Sequence, residues 1–417
     1  MALLHNCTTA AFFLDHTDFT MGSISAANAE FCFDLFRELK PQHINENIFY
    51  SPLSIISALA MVYLGTRGNT ALQVEKVLHF DEFRGLEGPS KTEVKKSHLP
   101  SFCGEPKGIH FKFKDLLSEI NSHSANYSLR MVNRLYAENT YSILPQYLKR
   151  TNKLYQAGLE SVDFKNAPEE SRRIINSWVE NQTNGLIKDL FGTGSIDTFT
   201  ALVLVNVIYF KGKWNKGFEE ENTKEMPFRI NQQETKPVQM MHQAGFFKIA
   251  SIGSEKIHIL ELPYANEELS MIILLPNDIS DLDQLENTIN FDKLMAWTSS
   301  TNMRKRKVEV YLPRMKLEEQ YSLAPVLSSL GMTDLFTQSA DLSGISTGKN
   351  LAVSEVIHKS HVEINEEGTE AAAATGVTIV LMSHVFPIKF KADHPFLFFI
   401  HHKKTNLILF YGRFSSP

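Results

Sequence analysis

Short apolar runs set the limits on what this chain can fold into. The longest are Ile55–Leu64 and Ala201–Phe210, each of about ten residues. A helix needs about 20 apolar residues to cross a bilayer, so we predict no membrane span. Runs of ten residues suit buried helices and strands, and a chain of 417 residues can build a core without covalent staples. We therefore expect a globular fold.

The net charge and the cysteine content exclude two further classes of protein. The chain has 42 basic and 47 acidic residues, a net charge of -5. A nucleic-acid-binding protein is usually basic, so we predict no sequence-specific nucleic-acid partner. Three cysteines, Cys7, Cys32 and Cys103, are too few for a disulfide framework.

Hydrophobic periodicity predicts helices early in the chain and strands beyond residue 200. The predicted helices are Asn28–Lys40, Leu53–Leu64 and Thr70–Leu78. The predicted strands are Ala201–Phe210, Ile257–Leu262, Ser270–Leu275, Lys307–Leu312, Pro395–Ile400 and Leu407–Tyr411. This mixture predicts an α+β fold.

Two segments read as lying outside the regular elements. Residues 1–20 have a short apolar patch with no basic residue before it, which makes a poor secretory signal. We interpret them as an extension outside the fold. Asp81–Lys107 is rich in Gly, Pro, Ser, Lys and Glu, a composition typical of a linker.

Catalytic and metal-binding motifs are scarce. Gly344–Gly348 matches the GxSxG pattern of hydrolases, but that motif needs a strand before it and a helix after it. Here polar residues precede it and a strand-like stretch follows, so we expect no hydrolase. His358 and His361 are three apart on a predicted strand and so face opposite ways; we expect one buried and one exposed histidine. We predict no catalytic residues, no metal site and no cofactor.

Arg304–Lys307 is a run of four basic residues. Such short runs usually form a solvated loop, which is our interpretation here. Binding of a polyanion is the alternative.

The segment Glu366–Pro387 does not suit a solvent-facing loop. Its alternate positions form one face without charge: Thr369, Ala371, Ala373, Thr375, Val377, Ile379 and Leu381. The segment could therefore become a central strand with that face on a core. A charge at Thr369 would then cost several kcal/mol to bury unpaired. A permanent strand and an alanine-rich helix remain alternatives.

Four motifs carry a family resemblance. They are Asn47–Ser54, Leu204–Trp214, Phe390–Phe396 and Glu366–Glu370 followed by four alanines. With these motifs the chain, from Met21 to Pro417, resembles the serpin family in its ovalbumin-like (clade B) branch.

The resemblance implies one domain over residues 21–417, with three β-sheets, eight to nine helices and an exposed reactive-centre loop at about 366–387. It implies a monomeric serine protease inhibitor, not an enzyme, that acts as a suicide substrate and traps the protease by loop insertion. The sites it implies are a shutter at Ser51, Ser54, Asn206 and His358, a breach at Trp214, and a hinge at Glu366, Glu367, Gly368, Thr369, Glu370, Ala371, Ala372, Ala373 and Ala374.

Family counting from Glu366 places the reactive bond at Met382–Ser383, with a one-residue shift to Leu381 or Ser383 left open. An unbranched apolar residue suits chymotrypsin-like or elastase-like proteases. A papain-like cysteine protease is an alternative target. A non-inhibitory storage or carrier protein of the same branch is the alternative function, but the alanine-rich hinge favours inhibition.

The compartment stays open at this point. The resemblance favours an extracellular glycoprotein, secreted without a cleaved signal peptide, and a cytoplasmic protein is the alternative. Asn126 and Asn181 are the candidate glycosylation sites, because each begins an Asn-x-Ser/Thr acceptor sequence.

Overall fold

The computed structural model describes residues 16–81, 108–121, 127–368 and 386–417. Nine α-helices lie in these ranges: α1 His16–Leu39, α2 Pro52–Tyr63, α3 Gly68–Val77, α4 Ile109–Ile120, α5 Pro145–Tyr155, α6 Pro168–Gln182, α7 Leu282–Thr288, α8 Phe291–Trp297 and α9 Ala324–Leu330. The strands of the same ranges are β1 Ile48–Tyr50, β2 Tyr127–Glu138, β3 Gly158–Val162, β4 Leu202–Gly212, β5 Lys224–Arg229, β6 Thr235–Ile252, β7 Ile257–Pro263, β8 Leu269–Pro276, β9 Arg304–Pro313, β10 Met315–Ser322, β11 Glu355–Ile364, β12 Ile388–Lys391, β13 Phe396–His402 and β14 Leu407–Phe414. The predicted α+β class is confirmed.

A five-stranded sheet, in the order β10-β11-β4-β2-β3, carries the site described below. Its central strand β4 is buried on both faces. Alternate side chains of the strand point to opposite faces, and each face is covered by a hydrophobic cluster. Leu204 and Ile208 face the main core, whereas Val203 and Val205 pack in a second cluster with α6. The sheet is therefore sandwiched between the main core and α6.

The junction between β4 and β11 differs from its neighbours in the sheet. β4 and β11 run parallel over nine residue pairs, from Glu355↔Val203 to Glu363↔Lys211. On their outer sides, β11 pairs antiparallel with β10 and β4 pairs antiparallel with β2. Parallel pairing is slightly less stable per residue than antiparallel pairing, so this junction is the weaker line in the middle of the sheet.

The other strands form one nine-stranded sheet, in the order β1-β14-β13-β8-β7-β6-β9-β12 with β5 paired to β6. Two sheets, not the three predicted, are therefore found in the described ranges. The reason is β6, which is 18 residues long. Its earlier residues pair with β5 and its last residues with β7, so hydrogen bonds join the two halves without a break.

Several local predictions need correction. The basic run Arg304–Lys307 begins strand β9 and is exposed there, so it is not a loop. One of His358 and His361 was expected to be exposed, but both are buried, with 0% and 4% of their surface accessible. Helix α1 begins at His16 and so includes residues 16–20, while the assignment of the N-terminal extension stays a prediction.

The hydrolase motif has no nucleophile elbow. Ser346 is buried, and its hydroxyl donates to the Ser142 carbonyl oxygen at 2.8 Å. The next element after it is strand β11, so the helix that the motif requires is missing from this described stretch. Among the described helices, none is long and apolar enough to span a membrane.

Candidate functional site

The start of α2 lies beneath the β4–β11 junction and forms one part of the site. Ser51 is its N-cap, and its hydroxyl accepts a hydrogen bond from the Ser54 N–H at 3.1 Å. Pro52 follows at the first helical position, where its fixed φ suits the helix and no N–H is needed. The same Ser51 hydroxyl donates to the Leu409 carbonyl oxygen at 2.5 Å, which ties α2 to β14.

His358 of β11 connects this cap to the sheet. Its Nε2 accepts the Ser51 N–H at 3.1 Å. Nδ1 must then carry the proton, and it donates to Asn206 Oδ1. Burial lowers the pKa of His358 to about 3 from an ordinary 6.5, because the charged form would lose its water. The imidazole is therefore neutral at physiological pH and holds a single tautomer.

Asn206 of β4 completes the network. Its Nδ2 donates to Ser54 Oγ at 2.5 Å and to the Ser54 carbonyl oxygen at 3.1 Å. The same amide reaches Asn133 Oδ1 of β2, and Asn133 Nδ2 donates to Ser57 Oγ at 3.2 Å. The network thus links three strands of the sheet to α2. Since Ser54, Asn206 and His358 are buried, each missing partner there would leave an unsatisfied polar group.

Trp214 stands at the end of β4 and contacts the chain that follows β11. Its ring stacks on Tyr264 with centroids 4.4 Å apart. The Trp214 Nε1–H donates to the Asn365 carbonyl oxygen at 2.7 Å. The backbone N–H of Trp214 donates to the Glu367 carbonyl oxygen at 2.9 Å. The N–H of Phe218 donates to the Glu366 carbonyl oxygen at 3.0 Å. The first residues of the predicted hinge are therefore fixed to the segment after β4.

The Glu366 side chain makes a charged contact within the fold. Its carboxylate accepts from Arg314 at 2.6 Å and from the Thr223 hydroxyl at 2.6 Å. Burial by itself would raise the pKa of Glu366, but these hydrogen bonds outweigh it and hold the pKa below its usual range. The carboxylate is thus charged and bound at neutral pH.

Glu367 makes a similar contact nearer to solvent. Its carboxylate lies 3.2 Å from Lys211 Nζ and 3.5 Å from Lys213 Nζ. The hydrogen bond from Lys211 is the main reason that the pKa of Glu367 is lowered. Three cations therefore hold two consecutive carboxylates at the point where the hinge begins.

Gly368 lies against Gly217 with no room between the two backbones. A Cβ on Gly368 would lie 2.4 Å from the Gly217 Cα, and one on Gly217 would lie 3.0 Å from the Gly368 Cα. Only glycine allows so close an approach of two chains. The parallel bridge between Trp214 and Gly368 depends on this contact.

The structure brings together all four predicted shutter residues, and it places Trp214 against Glu366–Gly368. Asn181 is exposed near the end of α6. The remaining predicted site residues lie outside the described ranges: Thr369, Glu370, Ala371, Ala372, Ala373, Ala374, Met382, Ser383 and Asn126. In the part of the chain that is described, no cluster of three or more His, Cys, Asp or Glu residues could hold a metal ion.

Sequence reasoning missed several members of the site. They are Ser57, Asn133, Lys211, Lys213, Thr223, Tyr264 and Arg314. No local pattern marks Arg314 or Asn133, because the partner of each is distant in sequence. Lys211 and Lys213 lie within a quoted motif, but their function depends on Glu367, more than 150 positions away.

Comparison with known proteins agrees with this architecture. A sequence model of the family "Serpin (serine protease inhibitor)" matches residues 26–417. Ovalbumin from Dromaius novaehollandiae is 56% identical over 397 residues, which are 95% of this chain and 100% of that protein. The crystal structure of uncleaved ovalbumin covers 95% of this chain and 100% of its own, with 50% identity and a TM-score of 0.84.

A second solved structure bears on the hinge. It is the loop-inserted structure of an ovalbumin mutant, with arginine replaced by threonine, cleaved at its P1–P1′ bond. It covers 95% of this chain and 100% of its own, with 47% identity and a TM-score of 0.81.

The neutral His358 predicts a pH dependence of stability. Above pH 6.5 it is neutral whether folded or unfolded, but between 6.5 and about 3 only the unfolded chain takes up the proton. Stability therefore falls with falling pH, by about 2 kcal/mol from this group at pH 5. Urea unfolding at pH 7.5 and pH 5.0 should show that His358→Gln, although less stable at pH 7.5, loses less on acidification than wild type. His43→Gln, outside the network, is the control, and an equal loss in His358→Gln and wild type would contradict the prediction.

Arg314 is predicted to hold the hinge in place. Its side chain is 46% exposed, so Arg314→Ala leaves no large cavity but removes two hydrogen bonds from the Glu366 carboxylate. We expect the amides of Trp214 and Phe218 to exchange hydrogen about tenfold faster, because both donate to the hinge. Arg173→Ala, which removes an exposed ion pair with Glu170, should leave both amides unchanged. Unchanged exchange in Arg314→Ala would show that the ion pair does not anchor the hinge.

Proposed function

This chain belongs to the serpin family, and on that premise we propose that it inhibits serine proteases as a suicide substrate. The observation that supports the proposal most directly is the parallel β4–β11 junction, with the hinge anchored at one end of it. A strand that enters there from the hinge would run antiparallel to both neighbours. One parallel pairing would be replaced by two antiparallel ones, which favours insertion.

The loop sequence suits that entry. Thr369 and the alanines after it are small and uncharged on the face that would meet the core. In the ovalbumin mutant described above, an arginine-to-threonine change accompanies loop insertion. The hinge of this chain has threonine at 369 and no arginine between 366 and 376. The cost of burying the segment is correspondingly low.

The chemistry belongs to the protease. Its serine Oγ forms an ester bond to the Met382 carbonyl carbon, while the Met382–Ser383 peptide bond breaks. The protease histidine takes the proton of the serine and gives it to the new Ser383 amine. Insertion of about 14 residues at ~3.3 Å each would then move the ester roughly 45 Å along the sheet. That displacement would distort the protease before water can cleave the ester.

Met382 supports a target with an apolar specificity pocket. An unbranched, flexible thioether fills the pockets of chymotrypsin-like and elastase-like proteases, whereas a trypsin-like pocket requires a cation. A papain-like cysteine protease, which also forms an acyl-enzyme, is the alternative target. We propose that the chain acts as a monomer, without cofactor or catalytic residue of its own.

A non-inhibitory storage or carrier protein is the second candidate, supported by the high identity to proteins named ovalbumin. Residues 369–375 separate the two candidates, because a non-inhibitory loop has no need for small, uncharged side chains there. The same relatives favour secretion without a cleaved signal, with Asn181 and Asn126 as glycan acceptors; the cytoplasm is the alternative.

The central test mixes the protein with chymotrypsin and with neutrophil-type elastase and examines the products on denaturing gels. We expect a complex that survives boiling and a released peptide that begins at Ser383. Thr369→Arg should abolish the complex but keep the cleavage, because the inserted strand would bury an unpaired charge. Glu370→Arg, on the opposite face, should still trap the protease. Cleavage of the wild type without any complex would favour the storage or carrier candidate.

Oxidation of Met382 offers a second test. Conversion to the sulfoxide makes the side chain polar, so it should fit an apolar specificity pocket less well. Mild oxidant should therefore slow complex formation at least several-fold, whereas Met382→Leu should be insensitive to the same treatment. Equal rates before and after oxidation of the wild type would argue against Met382 as the residue that enters the pocket.

A further inference from the structure

Strand β9 and its neighbours present a surface that the loop mechanism does not use. Residues directly opposite each other in an antiparallel pair share a face, and Lys305 lies opposite Lys248 while Lys307 lies opposite Phe246. Lys389 of β12 joins the same face, because it pairs with Glu309, two positions from Lys307. We call Phe246, Lys248, Lys305, Lys307 and Lys389 the basic face.

The basic face points to solvent. All five of its residues are exposed, whereas Phe247 and Val308, next to Phe246 and Lys307 in sequence, are buried in the core. Arg304 and Arg306 are exposed at the same end of β9 and add to the local charge. Glu309 brings one carboxylate to this side of the sheet.

Few charges on this face are neutralised by the fold itself. Lys248 pairs with Glu261 at 3.2 Å. Within the described ranges, no carboxylate pairs with Lys305, Lys307 or Lys389. Like charges directly opposite each other, as in Lys248 and Lys305, destabilise a sheet, so this arrangement does not serve stability. It is suited to an acidic partner.

An exposed aromatic ring in the middle of the basic face indicates the kind of partner. Phe246 is 67% exposed and lies opposite Lys307. Phe386, two residues before β12 begins, is 87% exposed. A polyanion needs only cations, whereas protein interfaces are enriched in aromatic residues and arginine. The combination therefore favours a protein over a sulfated or phosphorylated polymer.

The position of the basic face identifies which protein would reach it. β12 runs parallel to β9, and Ile388 pairs with Val308, so the chain enters β12 beside the basic end of β9. Phe386 is four residues from Met382, and four residues span at most about 14 Å. A globular protease of about 240 residues has a radius of gyration of roughly 18 Å. A protease engaged at Met382 would therefore extend over this part of the sheet.

We propose that the basic face is a second contact surface for the target protease and selects proteases that are acidic beside their primed-side cleft. This inference rests on the proposed function, since it takes the protease to be engaged at Met382–Ser383. The reactive loop would select proteases by the residue it offers to their specificity pocket. The basic face would control the encounter rate and the affinity through its charge.

The test measures noncovalent binding, so that it does not depend on trapping. The probes are an anionic and a cationic isoform of chymotrypsin, each with its catalytic serine replaced by alanine. At low salt we expect wild type to bind the anionic isoform about tenfold more tightly, and we expect Lys305→Glu/Lys307→Glu to abolish that preference. Phe246→Ala should weaken binding to both isoforms.

The matched control is Lys149→Glu/Lys349→Glu, which changes two exposed lysines away from β9 by the same charge. It should bind both isoforms as wild type does. Circular dichroism and urea unfolding should show that every variant is folded. No measurable binding by wild type, or equal Kd values for wild type and Lys305→Glu/Lys307→Glu, would overturn the proposal.

Two results separate this proposal from the proposed function. A complex that survives boiling, together with charge-independent Kd values, would support inhibition as the function and would overturn the proposal that the basic face contacts the protease. A charge-dependent Kd without such a complex would support the basic face as a contact surface for the protease and would contradict inhibition as the function. Retention on heparin that the double variant loses, with unchanged protease Kd values, would assign the surface to a polyanion and overturn the proposal.

Discussion

The parallel pairing of β4 with β11 is the constraint on which the rest of the structure depends. Asn206 and His358 are register partners across this junction, and their side chains hydrogen-bond to each other beneath it. The start of α2 then holds both strands through Ser51 and Ser54. A junction of the less stable kind is thus braced by polar groups rather than by apolar packing alone. Hydrogen bonds are directional, so this network specifies one arrangement of the two strands. All of its hydrogen bonds are lost together when the strands separate.

The predicted hinge and the predicted shutter lie at different places on the same junction. The shutter lies midway along the paired strands, whereas Trp214, Arg314 and the lysines bind the hinge beyond their end. In the proposed mechanism, opening the sheet for a new strand would require both sets of contacts to change. The cations at the predicted hinge are partly exposed and can exchange their partners for water at modest cost, but the buried polar groups of the predicted shutter cannot. In the proposed mechanism the buried shutter would therefore be the larger barrier to insertion, and release of the hinge contacts would come first.

The four shutter residues were predicted through the family resemblance, because spacing and composition alone mark none of them as a site. Sequence reasoning could not identify Asn133 or Arg314, whose partners are set by strand order and not by spacing. Arg304–Lys307 was assigned to a loop because exposed strand ends and loops share a polar composition. The described residues form two sheets where three were expected, since the continuity of β6 depends on hydrogen bonds that no composition reveals.

The contact between Gly217 and Gly368 has a consequence for how this chain can change over generations. Most tight contacts tolerate a larger residue on one side if the other side shrinks. Here both positions already hold the smallest residue, so a mutation at either one has no compensating partner at the other. The uncharged face of the proposed inserting strand is different, because its residues from Thr369 onward could vary in any way that keeps them small and uncharged. Under the proposed function, new specificities could therefore arise by substitutions in the loop, whereas almost no substitution at Gly217 or Gly368, where the loop departs, would be neutral.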